Sequence, residues 1–332
     1  GKGASGCPAS APVQFIEHSF QNYLSVTTTP YTFTWTPPAT DVGDVHFYVA
    51  GNAVNRNKQA DAGDHVYTND YILTPATAGG GSAPSIAQNG VVSASDFGGF
   101  PTIAPGSWIE IYGSNLSTSK RSWAGADFNG AHAPTSLDGV KVAVNGQDAF
   151  VDYISPTQVN AQVPSNAGTG PMQLTVSNSS GTSNPYNITV NATQPGLLAP
   201  ASFKIGNNQY AAALFPDGTT YVLPTGAIAG IPSRPAKPGE TIIFCGVGFG
   251  PVNPPIPAGQ IVSQSNQLTS TLQILFGQTQ ATLSYFGLAP TFVGLYQINA
   301  VVPAIANSDT VPLTFNLGGI AGTQTLVTSV HN

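Results

Sequence analysis

Three short sequence blocks occur twice in this chain, in the same order, and this internal repeat restricts the fold more than any other feature. The paired blocks are 103–113 and 236–246, 142–147 and 273–278, and 158–164 and 297–303. In the first pair, a Pro-Gly turn precedes a hydrophobic run that closes on glycine, as in PGSWIEIYG and PGETIIFCG. The repeat therefore predicts two versions of one domain, at about 85–195 and 196–331, the second enlarged by a hairpin-like insert around 210–223.

The local pattern is that of short β-strands. The run YTFTW at 31–35 alternates aromatic and threonine side chains, and VKVAV at 140–144 leads into the turn pair Asn145-Gly146. Both patterns have the period of two residues that places alternate side chains on opposite faces of a strand. The 37 glycines and 28 prolines leave no room for helices of ten or more residues. We therefore predict an all-β chain made of β-sandwiches.

Two changes in composition divide the chain further. A Gly- and Ser-rich stretch marks a linker at 76–88, and a second junction at 191–200 follows a completed strand. The predicted domains are a partial sandwich with an N-terminal extension at 1–75, a first complete domain at 89–195 and a second at 196–332. This division suits a chain of 332 residues, which is too long for one ordinary domain.

The chain carries very little charge, and this narrows the classes of function. Only 7% of its residues are charged, with nine Lys and Arg and a net charge of −6. A nucleic-acid partner requires a basic surface, so we predict none. A weakly charged surface also gives little repulsion between copies, which permits self-association. No apolar stretch reaches the ~18 residues that a membrane span needs, so we predict no transmembrane segment.

The repeated blocks and their surroundings resemble a known domain family. The marks are IAPGS at 103–107, YGSNL at 112–116, ISPTQVN at 154–160, GVGFGPV at 246–252 and VGLYQIN at 293–299. They resemble the C-terminal domain family, of unknown function, of secreted acidobacterial (Solibacter-type) proteins. The first half also resembles an IPT/TIG module. The resemblance implies tandem immunoglobulin-like β-sandwiches and export from the cell, and it implies no known activity.

Residues 13–75 resemble the second half of a reelin-type (choice-of-anchor) surface domain. The marks are FIEH at 15–18, FTW at 33–35, FYVAGNAVN at 47–55 and DHVY at 64–67. The first half of that family has no counterpart here, so an isolated half-sandwich would expose an apolar face and a strand edge. We predict that strands from outside, from a separate half-domain or a neighbouring copy, cover the face formed by Tyr31, Phe33, Trp35 and Phe47.

Catalytic patterns are absent from the sequence. The chain has no G-x-S-x-G nucleophile motif, and its three glutamates, Glu17, Glu110 and Glu240, stand far apart. Glycosidases need two carboxylates facing one sugar, and the aspartates here fall mostly in loops, as solvated turn residues do. We therefore predict that the protein is not an enzyme.

Three candidate sites have an alternative structural explanation. The side-chain oxygens of Asn55, Asn57, Asp61 and Asp64 suit Ca²⁺, which is the cofactor that this pattern indicates. The alternative is a solvated, turn-rich loop, which has the same composition. Trp123 lies in a polar loop, and its ring is a candidate platform on which a glycan could stack. The alternative is that Trp123 is an ordinary exposed aromatic residue. A Cys7–Cys245 disulfide is an alternative to a Cys245 thiol buried as a small hydrophobic group.

These observations favour a structural role outside the cell. We predict an extracellular subunit of a surface fibre, filament or layer that assembles by β-strand contacts between copies, its partner being itself or a missing half-domain. The alternative is a secreted carbohydrate-binding or adhesive accessory module of a larger protein.

Overall fold

The computed structural model describes residues 34–36, 42–53, 59, 61–74, 82–95 and 100–332. The chain divides into two compact units, Gly1–Thr77 and Ala78–Asn332. Within the described ranges all regular structure is β-strand except for two single-turn 3-10 helices, Gly125–Asp127 and Ala201–Phe203. The prediction of an all-β fold is therefore confirmed. None of the helices in these ranges is long and apolar enough to cross a membrane.

The described part of the first unit is a two-stranded antiparallel hairpin. Its strands are β1 (Val45–Ala53) and β2 (His65–Leu73), and Val45 pairs with Leu73 at one end while Ala53 pairs with His65 at the other. Odd-numbered residues of both strands share one face and even-numbered residues share the other, because directly opposed residues point the same way. Every side chain of β2 is exposed.

The first half of the second unit is a β-sandwich with two sheets. One sheet has the strand order β3-β5-β10-β9-β6, and the other has the order β4-β13-β11-β7-β8, with β12 paired to β11. Its strands are β3 (Ser85–Ser93), β4 (Thr102–Ile103), β5 (Trp108–Ser114), β6 (Arg121–Ser122), β7 (Lys141–Val144), β8 (Gln147–Asp148), β9 (Phe150–Ile154), β10 (Gln158–Gln162), β11 (Gly170–Asn178), β12 (Gly181–Thr182) and β13 (Tyr186–Val190). Strand β3 begins inside the predicted linker 76–88, so the last residues of that stretch belong to the sandwich.

The second half of this unit is a larger sandwich. Its sheets have the orders β19-β18-β17-β20-β26-β25, with β14 paired to β20, and β24-β23-β27-β28, with β29 paired to β27. Its strands are β14 (Gly196–Leu197), β15 (Lys204–Ile205), β16 (Asn208–Gln209), β17 (Ala213–Leu214), β18 (Tyr221–Val222), β19 (Ser233–Arg234), β20 (Thr241–Val247), β21 (Val252–Asn253), β22 (Gln267–Leu268), β23 (Leu272–Phe276), β24 (Thr279–Gln280), β25 (Thr282–Leu288), β26 (Tyr296–Val301), β27 (Ser308–Leu317), β28 (Ile320–Ala321) and β29 (Leu326–Val330). Strands β17 and β18 form the predicted insert.

The two sandwiches repeat each other in register as well as in order. Strand β10 pairs with β5 so that Gln158 lies opposite Tyr112, and β26 pairs with β20 so that Gln297 lies opposite Cys245. Tyr112 and Cys245 occupy the same place in the repeated blocks, and so do Gln158 and Gln297. The two pairs of strands therefore have the same register. The ladder between β9 and β10 shifts beside Asn160, and the ladder between β25 and β26 shifts beside Asn299. The internal repeat is therefore a repeat of three-dimensional structure, down to the same β-bulge.

The glycine that closes the first repeated block has a steric role. A Cβ on Gly113 would lie 2.0 Å from the carbonyl oxygen of Ser85, and one on Gly246 would lie 2.7 Å from that of Gly196. In both sandwiches the backbone of the paired neighbouring strand, β3 or β14, lies against the end of the repeated strand at this point. Only glycine permits so close an approach.

Each sandwich has its own apolar core. The first packs residues such as Ile109, Ile111 and Val159 between its sheets, and the second does the same with Phe244, Ile298 and their neighbours. Since adjacent residues of a strand point to opposite faces, Glu110, Gln158 and Asn160 lie on the outward face of the first sandwich.

A third apolar cluster joins the two sandwiches. It contains Trp108 from the first and Val293 from the second, and the indole Nε1 of Trp108 donates a hydrogen bond of 2.9 Å to the carbonyl oxygen of Val293. Gln162 donates to the carbonyl oxygen of Gly106 at 2.9 Å and accepts from the backbone nitrogen of Gly259 at 2.7 Å. A buried aromatic ring and a buried amide whose nitrogen and oxygen are both hydrogen-bonded therefore fix this junction.

Candidate functional site

The outward face of the sheet β3-β5-β10-β9-β6 carries a group of polar and aromatic side chains. Glu110 and Tyr112 alternate with core residues of β5, and Gln158 and Asn160 alternate with core residues of β10. The register sets Gln158 opposite Tyr112 and Asn160 opposite Glu110. Four hydrogen-bonding side chains thus form a compact patch on two central strands.

Two hydrogen bonds hold the side chains of this patch in place. The hydroxyl of Tyr112 donates to Oε2 of Glu110, and Nε2 of Gln158 donates to Oδ1 of Asn160 at 2.9 Å. Both bonds connect residues two apart on one strand, so each pair lies along the strand direction. Side chains that are already oriented lose less conformational freedom when they bind a ligand.

A β-bulge adds two further groups from β9. Val151 and Ile154 both belong to the core, and two residues, Asp152 and Tyr153, separate them. In a regular strand, only one residue separates two side chains that point into the core. The second residue here is the extra residue of a β-bulge, which lies where the ladder between β9 and β10 shifts beside Asn160. The bulge turns both Asp152 and Tyr153 away from the core, and both are half-buried.

Asp152 has an unusual protonation equilibrium for a surface strand. Burial of its carboxyl raises its pKa from 3.8 to about 6. Burial alone is the cause, because a carboxylate loses hydration that no neighbouring cation replaces. The outward face therefore includes a carboxyl group that changes charge near neutral pH.

A row of directly opposed residues crosses all five strands of this sheet. Consecutive partners on neighbouring strands are Val92, Glu110, Asn160, Tyr153 and Ser122. With strands ~4.8 Å apart, the row spans roughly 19 Å. Such a row forms a shallow polar surface, unlike the enclosed cavity that holds a small molecule.

The second sandwich keeps only part of this arrangement. Nε2 of Gln297 donates to Oδ1 of Asn299 at 2.9 Å, as in the first sandwich. Glu110 and Tyr112, however, have Ile243 and Cys245 as their counterparts in the register. The carboxylate and the phenol are therefore specific to the first copy.

Trp123, the predicted glycan platform, lies at the junction between the two sandwiches. Its ring is half-buried and packs edge-on against Trp108 at 5.5 Å and Phe128 at 4.9 Å between ring centroids. The loop is less open than its polar sequence indicates, because Trp123 follows the edge strand β6 and donates its backbone N–H to the carbonyl oxygen of Asp152. Its role in glycan binding stays a prediction.

Two of the four predicted calcium ligands, Asn55 and Asn57, lie outside the described residues. Oδ1 of Asp61 accepts a hydrogen bond of 2.7 Å from the backbone nitrogen of Gly63, and the carbonyl oxygen of Asp61 accepts one of 3.1 Å from the nitrogen of Asp64. These are bonds of a tight turn. No group of three His, Cys, Asp or Glu side chains suited to a metal occurs in the described ranges.

Of the predicted assembly face, Tyr31 and Phe33 lie outside the described residues. Trp35 and Phe47 are in contact, edge to face, with ring centroids 5.3 Å apart, and both are half-buried.

Of the two cysteines, Cys7 lies outside the described ranges. Cys245 is a half-buried free thiol, and burial raises its pKa.

Other polar clusters have geometries that stabilise structure. Ser329 and His331 both bond Oδ1 of Asp309, at 2.7 and 3.0 Å, so the serine faces the carboxylate and not the imidazole that would activate it. Arg234 lies 3.6 Å above the ring of Phe215 and forms two hydrogen bonds with Glu240, beside an open cleft of about 350 Å³. This arginine is satisfied within the protein.

Comparison with known proteins identifies the first sandwich. Residues 100–190 match the IPT/TIG domain family. The protein therefore contains an IPT/TIG immunoglobulin-like domain, and its class is that of all-β immunoglobulin-like proteins. The more specific Solibacter-type and reelin-type resemblances stay predictions. No curated protein matches the chain.

Several solved structures are similar to the chain at a low level. One is SGBP-B of the Bacteroides ovatus mixed-linkage glucan utilization locus, in complex with a mixed-linkage heptasaccharide, with 10% identity over 87% of this chain and 54% of that one, at a TM-score of 0.30. Another is the plexin A4 extracellular region, with 12% identity over 78% and 19% and a TM-score of 0.25. The I9–I11 tandem of titin has 8% identity over 87% and 94%, at 0.20. The chain spans about half the length of the SGBP-B structure, and similarities of this size support no inference about function.

Proposed function

We propose that this protein is a non-catalytic structural subunit of an extracellular or cell-surface assembly, and that copies contact one another through the β1–β2 hairpin. The exposure of apolar side chains on both faces of that hairpin carries the proposal. Tyr48 and Val66, on the even-numbered face, expose 79% and 70% of their surface, and Tyr67 and Tyr71, on the odd-numbered face, expose 65% and 57%.

The amount of exposed apolar surface is that of an interface. Seven large apolar residues of β1 and β2 expose about half of their surface or more: Tyr48, Val49, Val66, Tyr67, Tyr71, Ile72 and Leu73. With aromatic side chains of ~150–250 Å² each, the sum is on the order of 800 Å². One partner in a stable protein complex buries roughly that area, and the hairpin reaches it when contacts with other copies cover both of its faces.

The hairpin also has the features of a strand-pairing element. Within the described residues it forms a sheet of only two strands, and such a hairpin is marginally stable in water without further packing. Strands β1 and β2 contain no Lys or Arg, and the chain as a whole is nearly uncharged. Edge strands that avoid pairing usually carry such charges.

Charged substitutions on the hairpin test the proposal. We expect filaments or large oligomers of the full chain by electron microscopy and light scattering, and their loss in the double variants Tyr67→Lys/Tyr71→Lys or Tyr48→Lys/Val66→Lys. Ile320→Lys is the matched control, since Ile320 is 73% exposed in the second sandwich. A wild-type chain that stays monomeric at high concentration, or assembly lost equally in Ile320→Lys, contradicts the proposal.

The alternative, a carbohydrate-binding or adhesive module, is supported by a different observation. The two sandwiches are joined through a buried junction, and the first presents the oriented patch of Glu110, Tyr112, Gln158 and Asn160. A rigid body with a preorganised polar face suits adhesion to an extended ligand. The hairpin and the patch belong to different units of the chain.

A further inference from the structure

The outward face of the sheet β3-β5-β10-β9-β6 has the composition of a sugar-binding surface. Its row and its patch, together with Asp152, offer carboxylates that accept hydrogen bonds, amides that both donate and accept, and the rings and hydroxyls of Tyr112 and Tyr153. Sugar hydroxyls are both donors and acceptors, and the C–H faces of pyranose rings pack on aromatic rings. From this match we infer that the outward face of the first sandwich binds a neutral polysaccharide chain, with Glu110, Asn160 and Tyr153 as its central contacts.

The charge of the face selects among ligands. Its charged side chains are the carboxyl groups of Glu110 and Asp152, and no Lys or Arg belongs to the row or the patch. Phosphorylated, sulfated or uronic-acid ligands would meet unfavourable electrostatic potential and no guanidinium to pair with. A chain of uncharged hexoses meets neither penalty.

The shape of the face selects an extended ligand. The row is roughly 19 Å long, which accommodates several sugar rings side by side. Trp108 lies two residues before Glu110 on β5 and so on the same face, and this end of the patch leads into the junction where Trp108 bonds Val293.

The second sandwich provides an internal control for this binding surface. Asn160 and Asn299 occupy the same place in the repeat, accept the same 2.9 Å hydrogen bond from a glutamine, and are both half-buried. Only Asn160 lies opposite a carboxylate, because Asn299 faces Ile243. Replacing either asparagine by alanine therefore removes the same intramolecular bond, and only Asn160→Ala alters the proposed surface.

The test is binding of the full chain to an array of neutral and acidic glycans, followed by titration calorimetry with the best neutral oligosaccharide. We expect neutral glycans to bind, Asn160→Ala to weaken binding by about tenfold or more, and Asn299→Ala to change it less than about twofold. Glu110→Gln, which keeps the side-chain volume, should also weaken binding and serves if Asn160→Ala does not fold.

Several outcomes would overturn this inference. They are binding to no neutral glycan, binding confined to acidic glycans, equal effects of Asn160→Ala and Asn299→Ala, and a change in oligomeric state caused by Asn160→Ala or Glu110→Gln. The last result would make the face a contact between copies. Glycan binding that fails while hairpin-dependent filaments persist counts against this site alone, and the reverse counts against the assembly alone.

Discussion

Replacing Asp152 by asparagine should stabilise the protein at neutral pH. The folded state holds the pKa of this carboxyl at about 6, against a usual value of 3.8. A shift of about two units, at ~1.4 kcal/mol each, sets an upper limit of about 3 kcal/mol on the cost of ionising Asp152 in the folded protein. Because the side chain is only half-buried, solvent screens part of this cost, and we expect Asp152→Asn to raise the free energy of unfolding by about 1–2 kcal/mol at pH 7.5.

The sign of the effect follows from proton binding. A raised pKa means that the folded state holds the proton more tightly than the unfolded state does, so the contribution of Asp152 is fully present below about pH 4. It is lost as the pH rises through about 6. The difference in stability between Asp152→Asn and the wild type should therefore be close to zero at pH 3.5, grow between pH 4 and 6, and be constant above pH 7.

Urea unfolding at a series of pH values measures this difference. Trp108 and Trp123 report on the first sandwich by fluorescence, since both pack at its junction with the second. The matched control is Asp148→Asn, an exposed aspartate on strand β8 of the other sheet, for which we expect a change of less than about 0.5 kcal/mol. A pH-independent difference, or a destabilised Asp152→Asn variant at pH 7.5, would refute the assignment of burial as the cause.

Three further substitutions test the packing described above. Gly259→Ala should lower the free energy of unfolding by about 2–4 kcal/mol, because the new Cβ would lie 2.1 Å from the ring of Phe150. In calorimetry, the two sandwiches should then unfold in separate transitions. Gly130→Ala is the control, also at positive φ but in open space, and it should lower the free energy of unfolding by less. Trp123→Ala should lower the free energy of urea unfolding by about 2–3 kcal/mol through lost ring packing. Arg234→Met should cost at most about 1 kcal/mol, and the loss should shrink in high salt, because the ion pair is partly exposed.

Much of the fold could be predicted from local patterns. The repeated blocks have the same register in both sandwiches, and the alternation in WIEIY at 108–112 places Ile109 and Ile111 in the core and Glu110 outside it. A strand has a period of two residues whatever it packs against, so the sequence shows which side chains share a face. The same reasoning could have identified the patch, since Glu110, Gln158 and Asn160 are the polar members of two alternating runs.

The β-bulge is harder to predict from the sequence. Two residues between Val151 and Ile154 break the period of two, and the matching break between Leu283 and Phe286 was the available signal. The raised pKa of Asp152 could not be inferred from this signal, because it depends on how closely neighbouring chain segments cover the carboxyl group.

By itself, the sequence determined the all-β class, the internal repeat and the shortage of charge. Only the tertiary structure decided that Trp108 and Trp123 pack at a junction, and that Gln162 bonds Gly259 across 97 residues of chain. It also decided that an outward row of side chains crosses five strands drawn from separate parts of the first sandwich. The physical reason is that periodicity reports a residue's own strand, whereas contacts between distant segments depend on how the sandwiches pack together.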